Sequence, residues 1–157
     1  MSVLHARLLE HLTEENAVMR NLLKLVEQEQ LLLIQNNIKN VQQLLDEKSK
    51  YISELSALAH QRHLTLRAAG QAADESAMQA WLEQNTAPDV KAAWEKLLSQ
   101  TRAAKAFNRT NGLLINTQLT RNQNTLNILS GSNNHGNFYG PNGQTTRSTL
   151  SRGSIVC

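Results

Sequence analysis

The chain has 157 residues and a mass of 17.5 kDa, enough for one domain of ordinary size. Leu supplies 25 residues against 12 for Ile and Val together, aromatic residues make up 4 %, and there are 7 Gly and 2 Pro, a mix that excludes a β-sandwich or barrel. All 13 acidic residues lie in residues 1–95 beside 9 Lys and Arg, whereas residues 96–157 carry seven basic residues and no acidic one. An acidic body with a basic end points that end towards a negatively charged partner, or else reflects the preference of cations for helix C-termini.

Cys157 is the lone cysteine, so neither an internal disulfide framework nor a cysteine zinc site is available. The longest apolar run, Leu31-Leu32-Leu33-Ile34, is too short for a membrane span or a signal-peptide core. The expectation is a soluble protein in a reducing compartment, with no membrane insertion.

Residues 3–34 read as one long helix. Leu8, Leu12, Met19, Leu22, Val26 and Leu33 follow an alternating four-three spacing, with Glu15 and Glu29 as polar interruptions. Leu4, Leu9, Val18 and Leu23 make the stripe wider than a two-stranded coiled coil needs. Gln35-Asn36-Asn37 breaks the pattern, since Asn both competes with helix and caps it.

A second helix follows from Ile38 or Val41 to Ala69. Val41, Leu45, Ile52, Leu55, Ala59, Leu66 and Ala69 hold its face, Lys48 and Arg62 interrupt it, and Gly70 suits a C-terminal cap. So short a link predicts an antiparallel, coiled-coil-like hairpin. Asp74 is the predicted N-cap of a short helix running to Gln84 with Met78, Trp81 and Leu82. Pro88 then suits the first position of a last helix that runs to Leu129. Its early face is Val90, Trp94, Leu97, Ala104 and Phe107; its later face is Leu114, Ile115, Leu119, Leu126 and Leu129.

From Asn108 onward the last helix carries six Asn residues and Gly112 in its interior. Asn is a mediocre helix former and Gly costs about 1 kcal/mol relative to Ala. That half is predicted to be marginal alone and to need a partner, either the hairpin or another protein. Residues 130–157 hold five of the seven glycines with much Ser, Thr and Asn, and read as a flexible tail; Phe138-Tyr139 and Ile155-Val156 are its apolar anchors. The expected organisation is an all-α bundle over residues 1–129, of three long helices and one short one, followed by that tail.

Chemistry is hard to find in this sequence. It has no phosphate-binding glycine loop and no nucleophile elbow. His60 and His63 sit at i, i+3, but two histidines fall short of the three or four ligands zinc takes. Neighbouring carboxylates such as Glu14-Glu15 do not share a helix face. No catalytic residue, metal site or cofactor is therefore expected. The basic residues of the C-terminal part are spread out, without interleaved aromatics, which disfavours nucleic acid. A protein that binds helices of other proteins is the reading left, with self-association through the same stripes as the alternative.

Three segments resemble a known family. Glu47-Lys48-Ser49 precedes alternating apolar residues. Asn108-Arg109-Thr110-Asn111-Gly112-Leu113-Leu114 is followed by Asn122-Gln123. The tail contains Tyr139-Gly140-Pro141-Asn142-Gly143-Gln144-Thr145. In order and spacing these are similar to the motifs of the FlgN-type flagellar export chaperones. The resemblance implies a cytoplasmic protein without enzymatic activity. Such a protein covers the C-terminal helices of hook-associated (hook-filament junction) proteins and delivers them to the flagellar type III export gate. It also implies that the substrate surface comprises Asn108, Asn111, Gly112, Leu114, Ile115, Leu119, Asn122, Leu126 and Leu129. Phe138, Tyr139, Gly140, Gly143 and Gln144 would then be the tail element contacting substrate or gate. The chain departs from the family in ending Ser154-Ile155-Val156-Cys157, without a terminal lysine cluster.

Overall fold

A computed structural model describes residues 2–130, 137–139 and 145–147. Four helices occur in the order α1 (Val3–Ile34), α2 (Ile38–Ala68), α3 (Ser76–Gln84) and α4 (Pro88–Ser130). Three are long and one is short, the expected all-α arrangement. The segment expected to be only a flexible tail contains two three-residue strands, β1 (Asn137–Tyr139) and β2 (Thr145–Arg147). They pair antiparallel with Phe138 opposite Thr146. Phe, Tyr and Thr favour extended backbone, and the intervening Gly-Pro-Asn-Gly is turn composition, a local signal that the overall polarity of the segment conceals.

The helix ends follow from their residues. At the end of α1, Asn36 adopts the left-handed region (φ 57°). Its N–H donates to the Leu33 carbonyl at 3.0 Å, and the Asn37 N–H reaches back to Leu32 at 2.8 Å. This pair of bonds satisfies carbonyls that the helix end would otherwise strand. Asn37 then serves the next helix, its Oδ1 accepting from the Asn40 N–H at 3.4 Å. α2 ends in the same way around Gly70 (φ 88°), with the Gly70 N–H on Arg67 and the Gln71 N–H on Leu66.

The start of α3 keeps Asp74 as its cap, since Glu75 already has helical backbone angles (φ −64°, ψ −23°). The helix begins at Ser76, after a Glu75 that makes no side-chain cap. Asp74 Oδ1 instead accepts from both the backbone N–H (2.9 Å) and the hydroxyl (2.5 Å) of Ser76. The amide bond is the one an N-cap side chain makes, and the Ser76 hydroxyl adds a second. These bonds, the Ser76 hydroxyl first, hold the Asp74 carboxyl below its ordinary pKa.

The chain divides into two compact units. The first comprises Met1–Leu25 and Asp46–Ala104, the second Val26–Leu45 and Lys105–Cys157. In the first unit, Leu8, Leu12, Met19 and Leu22 of α1 are buried, as are Leu66, Met78, Trp81, Val90, Trp94 and Leu97. Each such side chain contributes about 1.5–3 kcal/mol on leaving water. The polar interruptions of the stripes are buried as well. Glu15 accepts from Arg62 Nε at 2.8 Å and Nη2 at 3.1 Å, and both side chains are almost fully enclosed. The guanidinium lies over the Trp94 ring, 4.8 Å from its centroid.

Further contacts set helix directions in this unit. Asn16 Nδ2 donates to the Ala93 carbonyl at 3.0 Å, and His11 Nε2 lies 3.0 Å from the Thr65 hydroxyl. His5 Nε2 sits 2.8 Å from Asp89 Oδ1, with its ring edge-on to Trp81. The His5 contact holds the Asp89 carboxyl below its ordinary pKa. Residues early in α1 thus meet residues early in α4 and late in α2. Hence α4 runs parallel to α1 and α2 antiparallel to both.

In the second unit the core is Leu33, Val41 and Ile115, with Leu32, Ile38, Leu45, Leu114 and Leu119 packed against it. Val26 is buried in this unit as well, and among the described residues its buried hydrophobic side chains are fewer than in the first unit and all aliphatic.

Candidate partner surface on the distal half of the last helix

The distal half of α4 has two faces, and the structure separates residues that the sequence grouped together. Asn111 is fully buried. Its Nδ2 donates to the Val26 carbonyl at 2.8 Å and to Glu29 Oε1 at 2.9 Å, while its Oδ1 has no hydrogen-bond partner. Glu29, another apparent interruption of the α1 stripe, is likewise fully buried. Two turns further on, Gln118 Nε2 donates to the Leu33 carbonyl. Gly112 is buried beside Asn111, and Ile115 belongs to the core.

These residues hold α4 against α1, so Asn111, Gly112 and Ile115 are not surface in this structure. Leu114 and Leu119 are half-buried against the same cluster. Asn108 is half-buried, with its Oδ1 unpaired. Of the predicted surface residues, Asn122, Leu126 and Leu129 are exposed.

The opposite face was hidden in the sequence. Leu113 is 64 % exposed and Ile128 84 %. Between them a shallow groove is lined by Thr117, Thr120, Arg121 and Asn124. The Thr117 hydroxyl donates to the Leu113 carbonyl at 2.8 Å and that of Thr125 to Arg121 at 3.0 Å. With its hydroxyl turned onto the helix backbone, each Thr offers mainly a methyl outward, so this face is more apolar than its composition. The one available signal was the adjacent pair Leu113-Leu114. Neighbours on a helix lie about 100° apart, so they do not occupy the same line of contact.

α4 also outruns the hairpin. Gln118 is level with Leu33, near the end of α1, yet the helix continues twelve residues to Ser130, roughly 18 Å at the rise of an α-helix. Leu126, Ile128 and Leu129 lie on this extension, 47 %, 84 % and 79 % exposed. Phe138 and Tyr139 lie in β1, while Gly140, Gly143, Gln144 and the terminal Ile155-Val156-Cys157 fall outside the described residues.

Among the described residues no cluster of three or more His, Cys, Asp or Glu is placed to hold a metal ion. His60 is exposed, and His63 Nε2 is 3.1 Å from Glu75 Oε1. No helix among them is long and apolar enough to cross a membrane.

Fold and surface together define an all-α protein of three long helices, whose last helix carries exposed apolar residues beyond its hairpin. The FlgN protein family model matches residues 1–147, and the chain belongs to that family. It is 30 % identical over 142 residues to the flagella synthesis protein FlgN of Salmonella typhimurium, covering 89 % of this chain and 91 % of that one. It is also 30 % identical over 151 residues to the protein of the same name from Escherichia coli K12, covering 94 % of each. A crystal structure described as a flagella synthesis protein FlgN from Pseudomonas aeruginosa shares the fold, with a TM-score of 0.61 and 24 % identity, over 78 % of this chain and 95 % of that one.

Proposed function

We propose that this chain is a cytoplasmic export chaperone of flagellum assembly. In this reading it binds the C-terminal helical segments of hook-associated proteins, keeps them from assembling early, and hands them to the flagellar type III export gate. It performs no chemical step of its own. Family membership supports the flagellar setting, and one structural observation supports the binding role. The distal end of α4 carries Leu126, Ile128 and Leu129, each about half or more exposed, on the helix that follows the Gln118 bond to the Leu33 carbonyl. Leu126 and Leu129, three residues apart, share one side of the helix and suit an incoming amphipathic helix, while Ile128 offers apolar surface on another side. The tail, with Phe138 and Tyr139 in β1, is assigned to gate or substrate contact.

The test is co-expression with the C-terminal segment of a hook-associated protein. The wild-type chain should co-purify with it. Ile128→Asp with Leu129→Asp should weaken the complex at least tenfold, with helicity and melting temperature unchanged, because neither residue is in the core. A double variant that keeps full affinity moves the surface elsewhere, and no complex with the wild type overturns the reading. Truncation from residue 108 is the wrong variant, since it also removes Asn111 and Ile115 from the packed unit.

A further inference from the structure

Within the second unit, Lys105, Arg109, Leu113, Thr117, Arg121 and Ile128 are all exposed. At 100° per residue they fall within one half of the α4 circumference. The stripe is therefore basic at its start, apolar at Leu113, basic again at Arg121 and apolar at Ile128. No carboxylate interrupts it, because residues 96–157 contain none. That absence also narrows the occupant. The chain's own residues 131–157 add only Arg147 and Arg152 as charged side chains, so they have no acid to offer. The same segment of a second copy would meet the stripe with like charge.

We infer that the occupant of this stripe is an acidic amphipathic helix of another protein. Its apolar residues lie against Leu113 and Ile128, and its Asp or Glu side chains flank them to meet Lys105, Arg109 and Arg121. This inference rests on the chaperone reading and specifies the chemistry of the segment captured. Charge complementarity sets the direction of the bound helix and rejects basic helices, while the apolar contacts hold it.

The probe is the C-terminal segment of a hook-associated protein, used with the full-length chain and measured by calorimetry. One form of the segment is native, and in the other each Asp and Glu is changed to Asn and Gln. Neutralising the segment should weaken binding about tenfold at low salt, and the loss should shrink in 0.5 M salt as the charges are screened. Lys105→Glu with Arg109→Glu should cause a similar loss, and combining the two changes should add little more. Lys105→Gln with Arg109→Gln should give a smaller loss in the same direction. Circular dichroism checks that the exposed substitutions leave the fold intact.

Binding of the native segment that ignores all these charge changes overturns the inference and leaves the chaperone reading standing. Failure of the wild-type chain to bind the segment at all overturns both. Displacement of the segment by a single-stranded oligonucleotide at equal concentration overturns the inference in favour of nucleic acid.

Discussion

The two units of this molecule solve the same packing problem with different means. In the first, the buried side chains include two tryptophans, and a bidentate ion pair between Glu15 and Arg62 is enclosed with the guanidinium over Trp94. In the second, the buried apolar side chains among the described residues are Val26, Leu33, Val41 and Ile115, and two amides, those of Asn111 and Gln118, reach α1. Apolar burial sets most of the stability of a helical unit. The first unit is therefore the anchor, and the second rests on fewer buried side chains. Along α4, the proximal half buries Val90, Trp94 and Leu97, whereas the distal half leaves Leu113, Ile128 and Leu129 in water.

The largest expected effect tests the anchor. Arg62→Ala leaves the Glu15 carboxylate enclosed with no cation, and should cost about 3–5 kcal/mol in urea unfolding. Replacing the pair by Glu15→Leu with Arg62→Met should recover most of that loss, since the site then holds no charge to desolvate. If the single variant costs under 1 kcal/mol, the ion pair is not what organises the first unit.

A smaller effect tests the second unit. Asn111→Ala should cost about 1–3 kcal/mol, because Glu29 loses a donor inside an aliphatic core. Amide exchange should quicken in residues 105–130 while residues 5–22 keep their protection. Equal loosening of both would mean that the two units unfold as one.

The smallest effect is electrostatic. The Asp89 carboxyl titrates below its ordinary pKa, chiefly through its bond to His5. A depressed carboxylate adds stability above its unfolded-state pKa, and that stability is lost as pH falls through the folded-state value. His5→Ala should move the Asp89 transition upward in an NMR titration and flatten the acid limb of the first unit's stability curve. An unmoved transition would assign the shift to the Val90 amide instead.

Much of the fold was legible from residues. The four-three spacing from Leu8 to Leu33 marks α1, and Asn36 and Gly70 sit where the left-handed helix ends require them. The pairing of the polar positions was less visible. Glu15 and Glu29 on α1, like Lys48 and Arg62 on α2, are each separated by fourteen residues, and opposite signs at equal spacing on antiparallel helices were the readable sign of a buried pair. The candidate surface was least legible. Apolar spacing selects Leu114 and Ile115, which the core takes. Leu113 and Ile128 sit among Thr and Asn, and the outward methyls of Thr117 and Thr125 become evident only once their hydroxyl bonds are known.

The amides of Asn111 and Gln118 stand seven residues apart and grip the carbonyls of Val26 and Leu33, also seven apart. They act as a two-pronged ruler between parallel helices. One residue inserted between the prongs would swing everything downstream by about 100° and carry Ile128 off its face. Length changes among relatives of this chain should accordingly accumulate in the loops and past Ser130, and spare the stretch the ruler spans.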